Sequence, residues 1–190
     1  MLLAPQLWLL GLMQMASFGM AIVVGAWIVT SLERTLQVPA AKAGLIGSFV
    51  LLLGIVMRPL GGALRSSMGM RALLRASFLA NAAGCFILAP GRNALPLAVA
   101  AVLLIGSGCG LPYAALFTRA ASLFPSRAAA AMGLVNMLGI LMILVGAPLV
   151  GHMVDWTGTF RSSFLALGCF SLAACVATTL LTRDEPSPTL

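Results

Sequence analysis

The 190-residue chain is 61% hydrophobic and 8% charged, and eleven Lys and Arg against four acids give a formal net charge of +7. Soluble domains carry about 25% charged residues, so this composition cannot cover a water-facing surface and makes lipid the main solvent. A soluble enzyme is excluded, and so is a nucleic-acid-binding module, because the basic residues stand singly between apolar runs instead of forming a patch.

Charges divide the chain into six stretches, each near the roughly 20 residues that an α-helix needs to cross a hydrocarbon core of about 30 Å. Residues 7–29 carry no charge, 43–64 carry only Arg58, and 72–90 carry Arg75 near their start. Residues 93–118, 128–152 and 162–182 carry none. Runs this long without alternation exclude barrel strands, so the fold class is an all-α membrane protein, one six-helix bundle over residues 1–182 with the lipid bilayer as its first partner. Residues 183–190 read as a polar, proline-containing disordered tail. No basic residue precedes Leu7 and the first apolar run outlasts the core of a signal peptide, so that span is expected to stay in the membrane.

Basic residues set the orientation. With the N-terminus inside, Arg65, Arg71, Arg75, Arg119, Arg127 and Arg183 are cytoplasmic, against Arg34, Lys42, Arg92 and Arg161 outside. Both termini are therefore expected in the cytoplasm of a cell-membrane protein. Cys85, Cys109, Cys169 and Cys175 lie in apolar runs without metal-ligand or redox spacing, and His152 is the single histidine, so neither a metal site nor a cofactor is expected.

Two features inside the spans carry physical weight. Gly106 and Gly110 form a small-xxx-small pair on the fourth span, suited to close helix packing, and Pro112 follows as a kink. Arg58 is the one charge well inside a span, where a functional role is the default. It lies only about 10 Å along the axis from Arg65, so snorkelling to the inner headgroups, as a helix-end anchor, is the favoured alternative.

A shift of 89 residues aligns Gly44–Gly69 with Gly133–Gly158 with eight identities in 26 positions, among them Pro59/Pro148, Leu60/Leu149, Gly62/Gly151 and Gly69/Gly158. A three-helix shift reverses direction across the membrane, so the chain reads as two inverted three-helix repeats, as in secondary transporters.

The loop after the second span, Gly62-Ala63-Leu64-Arg65-Ser66-Ser67-Met68-Gly69-Met70-Arg71, resembles the loop motif of the major facilitator superfamily. Gly62, Leu64, Gly69 and Arg71 fit the motif, whereas Ser66 and Ser67 replace its Asp and Arg, which removes its charged part. The segments Gly146–Gly158 and Arg58–Gly62 are also similar to the C-terminal half of that family. The resemblance implies one six-helix half of a twelve-helix transporter moving a small solute by alternating access. The abrupt start at Met1-Leu2-Leu3 leads to the expectation of a truncated product or half-gene. Its partner would be a missing N-terminal half or a second copy.

In that family the first and fourth helices of a half line the cavity. The resemblance therefore makes Gln14 and Tyr113, with Asn136 on the fifth span, candidates for the substrate path, although each would serve equally as an interhelical hydrogen bond. Arg58 joins them. The spans hold no acid, Glu33 and Asp155 lying just beyond them, so this half is not expected to carry a proton-coupling carboxylate. A charged solute would then be an anion. Arg58-Pro59-Leu60-Gly61-Gly62 also looks like the nitrate/nitrite and small organic anion branches of the family. Two other functions compete. Ile105-Gly106-Ser107-Gly108 partly resembles the nucleophile motif of a rhomboid-type intramembrane serine protease, but its only base, His152, lies on the fifth span, so no catalytic residue is assigned. A non-transporting membrane scaffold is the third.

Overall fold

The computed structural model describes residues 4–91 and 94–182. The tail expected to be disordered, 183–190, lies outside the described residues, as does Arg92. Among the described residues six helices are long and apolar enough to cross a membrane. They are α1 (Pro5–Leu36), α2 (Ala40–Met68), α3 (Met70–Leu88), α4 (Leu95–Leu123), α5 (Pro125–Thr157) and α6 (Arg161–Leu180). No strand occurs among the described residues, and the chain is an all-α integral membrane protein.

Several helices outrun the apolar spans of the sequence. The 33 residues of α5 reach about 50 Å, so its ends lie in the headgroup region or it tilts. Pro5, Pro96 and Pro125 each sit in a first turn, where a missing N–H costs nothing. Two matched glycines end the matched helices: Gly69 closes α2 at φ 78° and Gly158 closes α5 at φ 70°, a region that disfavours any side chain.

The core divides into two apolar clusters. Met20, Val24 and Ile28 of α1 meet Val50, Cys85, Ile105, Val150 and Phe164 in one. Leu7, Leu10 and Met13 of the same helix meet Leu73, Phe78, Leu116 and Val135 in the other. Lipid tails are as apolar as leucine, so hydrophobic transfer does not hold these helices together; close packing and interhelical hydrogen bonds do. Glycines accordingly mark the crossings. A Cβ at Gly106 would stand 2.9 Å from the Phe49 carbonyl, and one at Gly110 2.8 Å from that of Leu53, so α4 meets α2 backbone to backbone. A side chain at Gly61 would run into the Leu111 carbonyl.

Burial is uneven. In the most apolar stretch of α1 67% of residues are buried, against 28% in α2 and in α5. Leu45, Leu52, Ile55 and Val56 of α2, with Met137, Leu141, Leu144 and Val145 of α5, are exposed.

Candidate functional site

Between the two apolar clusters α1 changes its winding. Met15–Gly19 form a π turn, which disturbs the regular ladder of backbone bonds, and such turns gather at functional sites. Neighbouring helices take up polar groups here. Asn81 on α3, fully buried, donates through Nδ2 to the Ala16 carbonyl at 3.1 Å, and its Oδ1 lies 3.6 Å from the Cys109 thiol on α4. Ser17 donates to the Cys109 carbonyl at 2.6 Å. Gly108 leaves the room that Asn81 needs. In a low-dielectric interior such a satisfied network fixes the helices that share it, here α1, α3 and α4. Nothing in the hydropathy pattern singled out Asn81; the available signal was an amide in the middle of an apolar run.

Against this clamp lies a cavity of about 270 Å³, lined by Phe18, Gly54, Arg58, Cys109 and Tyr113 among others. Arg58 does not reach towards Arg65. Its Nε donates to the Gly54 carbonyl at 3.1 Å, one turn back along α2, and its guanidinium carbon stands 3.9 Å from the Tyr113 ring centroid and 5.9 Å from that of Phe18. Helical side chains lean towards the N-terminus of their helix, and two aromatic faces hold the cation there, so the expectation of snorkelling to the inner headgroups gives way to an inward-facing charge. Tyr113 opens the second part of α4, directly after Pro112, and stacks on Phe117 at 4.7 Å. Phe18 meets Tyr113 edge-on at 6.0 Å. Phe18 and Phe117 carry no distinguishing signal in the sequence; each stands four residues beyond a candidate polar residue, Gln14 and Tyr113.

The other candidates lie apart from the cavity lining. Gln14 is fully buried, and neither its Oε1 nor its Nε2 has a partner among the described residues. It presses with Phe18 on Gly139 of α5, where a Cβ would stand 3.0 Å from Gln14 Cγ and 3.2 Å from Phe18 Cδ1. Asn136 lies half-buried on α5, three residues before that glycine. Arg58 and Tyr113 are thus brought together, Gln14 sits one turn from Phe18, and Asn136 does not line the cavity.

At the α2–α3 turn the loop residues form an anchor. Gly62 and Leu64 are exposed on α2, Gly69 makes the turn, and Arg71 donates to the Leu181 carbonyl at the end of α6. Arg75 Nε donates to Thr178 Oγ1 at 3.0 Å and Arg119 Nη2 to Thr182 Oγ1 at 2.8 Å. Ser66 and Ser67 bond carbonyls of their own helix, Ala63 and Leu64, so at these positions the family's charged contact is replaced by local capping. Among the described residues no His, Cys, Asp and Glu group could hold a metal, and His152, exposed on α5, makes no hydrogen bond to Ser107.

The fold and the cavity define the class as an integral membrane protein, a six-helix bundle with the Arg58 cation turned towards an aromatic-lined cavity. The family model of the Major Facilitator Superfamily matches residues 7–190, and the chain belongs to that family. It is similar to a probable nitrate/nitrite antiporter, NarK1, of Thermus thermophilus, with 27% identity over 89% of this chain and 42% of the relative. A probable nitrate transporter, NarT, of Staphylococcus haemolyticus shares 24% identity over 95% of this chain and 46% of its own length. Monocarboxylate transporter 2 of Meriones unguiculatus shares 28% over 70% of this chain and 28% of its own length. The chain spans less than half the length of these relatives. Family and relatives point to transport, not to the protease chemistry weighed from the sequence.

Proposed function

We propose that the chain forms one six-helix half of a secondary transporter that moves a small planar anion by alternating access. The Arg58 guanidinium in the aromatic-lined cavity carries this reading. A guanidinium holds an oxyanion through paired hydrogen bonds, and a low-dielectric cavity strengthens that attraction. The two relatives named for nitrate and the one named for monocarboxylates share that substrate chemistry, an anion with a planar oxyanion group.

One half offers one wall of the path. The exposed apolar faces of α2 and α5 are the surface on which a second bundle, an N-terminal half or another copy of this chain, would rock. Gln14, Tyr113 and Asn136 would supply further polar contacts as the bundles move, Gln14 because a buried amide without partners gains most from a new one. In this reading both termini and the Arg65–Arg75 segment face the cytoplasm of a cell membrane, following the arginine distribution.

Uptake of nitrate, nitrite and lactate into proteoliposomes, with the chain alone and with a matching N-terminal half, tests the reading. Saturable anion uptake is expected only with a second bundle present. Uptake by the purified monomer would overturn the half-transporter reading, and uptake restricted to cations or neutral solutes would overturn the anion. Impermeant thiol labelling of intact cells should mark a cysteine at Thr159 and spare one at Ser67; the reverse would invert the topology.

A further inference from the structure

A second cavity, about 410 Å³ in volume, opens where the α2–α3 turn meets the end of α6, with Gly69, Arg71 and Arg75 on one side and Leu181 and Thr182 on the other. None of the residues around the Arg58 cavity takes part in it. Arg71 donates through Nη2 to the Leu181 carbonyl and Arg75 through Nε to Thr178 Oγ1, and among the described residues these are the only hydrogen bonds of the two guanidiniums. Each keeps unused donors and has no acid opposite it. The described acids, Glu33 and Asp155, stand near the ends of α1 and α5, at the other end of the bundle. Ser66, at the place of the acid in the family's loop motif, bonds only its own helix.

The two cations are also badly placed for the helix that carries them. They lie in the first two turns of α3, whose first turn holds no acid and no side-chain cap. The positive end of a helix dipole repels cations there, and an anion between the two arginines relieves both the repulsion and their mutual charge. Position narrows the anion. Gly69 closes one membrane-crossing helix and opens the next, and Leu181 follows the last, so the cavity lies at the headgroup level of one leaflet, whichever side that leaflet faces. Beside Leu181, the exposed residues Leu180, Val176 and Leu172 lead along α6 into the hydrocarbon. We propose that this cavity binds the phosphodiester of an anionic phospholipid between Arg71 and Arg75, with an acyl chain against α6. The lipid would neutralise the two arginines and tie the α2–α3 turn to the end of α6, as a basic pocket between membrane helices does for anionic headgroups.

Native mass spectrometry of the full chain, stripped of lipid in detergent and then offered phosphatidylglycerol or zwitterionic phosphatidylcholine with the same acyl chains, tests the proposal. One phosphatidylglycerol per chain should be retained about 30-fold more tightly than phosphatidylcholine, each arginine contributing about fivefold. Arg75→Gln should remove about fivefold of that preference and Arg75→Lys should keep most of it. Arg127→Gln, exposed at the same end of the bundle but outside the cavity, should leave it unchanged. Equal retention of the two lipids by the parental protein would overturn the proposal without recourse to any variant. So would equal losses in Arg127→Gln and folded Arg75→Gln, which would mean diffuse charge instead of a site. Displacement of the lipid by free glycerol 3-phosphate would give the cavity to a soluble phosphate ester. A preference that emerges only in the double variant Asp184→Asn, Glu185→Gln would give it to the chain's own acids, and either result would overturn the lipid.

Discussion

Helices α2 and α5 carry the same punctuation, Pro-Leu-x-Gly followed seven residues later by a turn glycine, yet they solve different problems. In α2 the residue before the proline is Arg58 and the residue two after it is Gly61; in α5 the matching positions are Ala147 and Val150. Gly61 lets the backbone of α4 come against α2 at Leu111, and this contact sets Tyr113 beside Arg58. Val150 instead fills the apolar core, and the polar need at this level is met from α1, where Trp27 Nε1 donates to the Ala147 carbonyl at 2.9 Å and its ring covers Gly151. The two copies therefore share where the proline sits and where the helix stops, while the residues between those marks decide whether the copy faces a cavity or a neighbour.

The comparison is most sharply tested at its charged position. Arg58→Gln should lower anion uptake by the assembled transporter about 100-fold, with Arg58→Lys intermediate and membrane insertion unchanged, since one partner of a desolvated charge pair is lost. Uptake at the parental rate in both variants would reduce Arg58 to a packing residue. Exchanging the small positions should show that the copies are not interchangeable. Gly61→Val should destabilise the bundle by about 2 kcal/mol through the clash with α4, and Val150→Ala by about 1.5 kcal/mol through a cavity, both measured by denaturant titration in mixed micelles. If Gly61→Val is neutral, α4 does not pack as closely as the Leu111 contact requires. Trp27→Phe should have the smallest effect, about 1 kcal/mol for the lost hydrogen bond to Ala147, with uptake retained. A large loss of uptake would place Trp27 in the transport path and blur the distinction between the two helices.

The span count was legible because lipid permits only backbone that satisfies itself, so apolar length translates directly into helices. The family was legible from punctuation, Gly62, Gly69, Pro59 and their counterparts, since glycine and proline constrain the chain wherever it folds. Arg58 drew attention as a charge in an apolar run. Its direction did not follow, because one helix offers a cation both its own headgroup level and its own previous turn; the rings of Phe18 and Tyr113, from two other helices, select the second.

Neither Asn81 nor Ser163 stands out in the hydropathy pattern, and for the same reason. A single polar residue in an apolar span has no period, and only the opposing helix shows whether it is paired, as Asn81 is to Ala16, or buried without a partner among the described residues, as Ser163 is. The sequence by itself determined the solvent, the six spans and the places where helices turn, because these depend on local chemistry summed along one chain. The tertiary structure alone decided which side chains meet across helices, because in lipid that choice rests on packing and interhelical bonds between residues as distant in sequence as Arg58 and Tyr113.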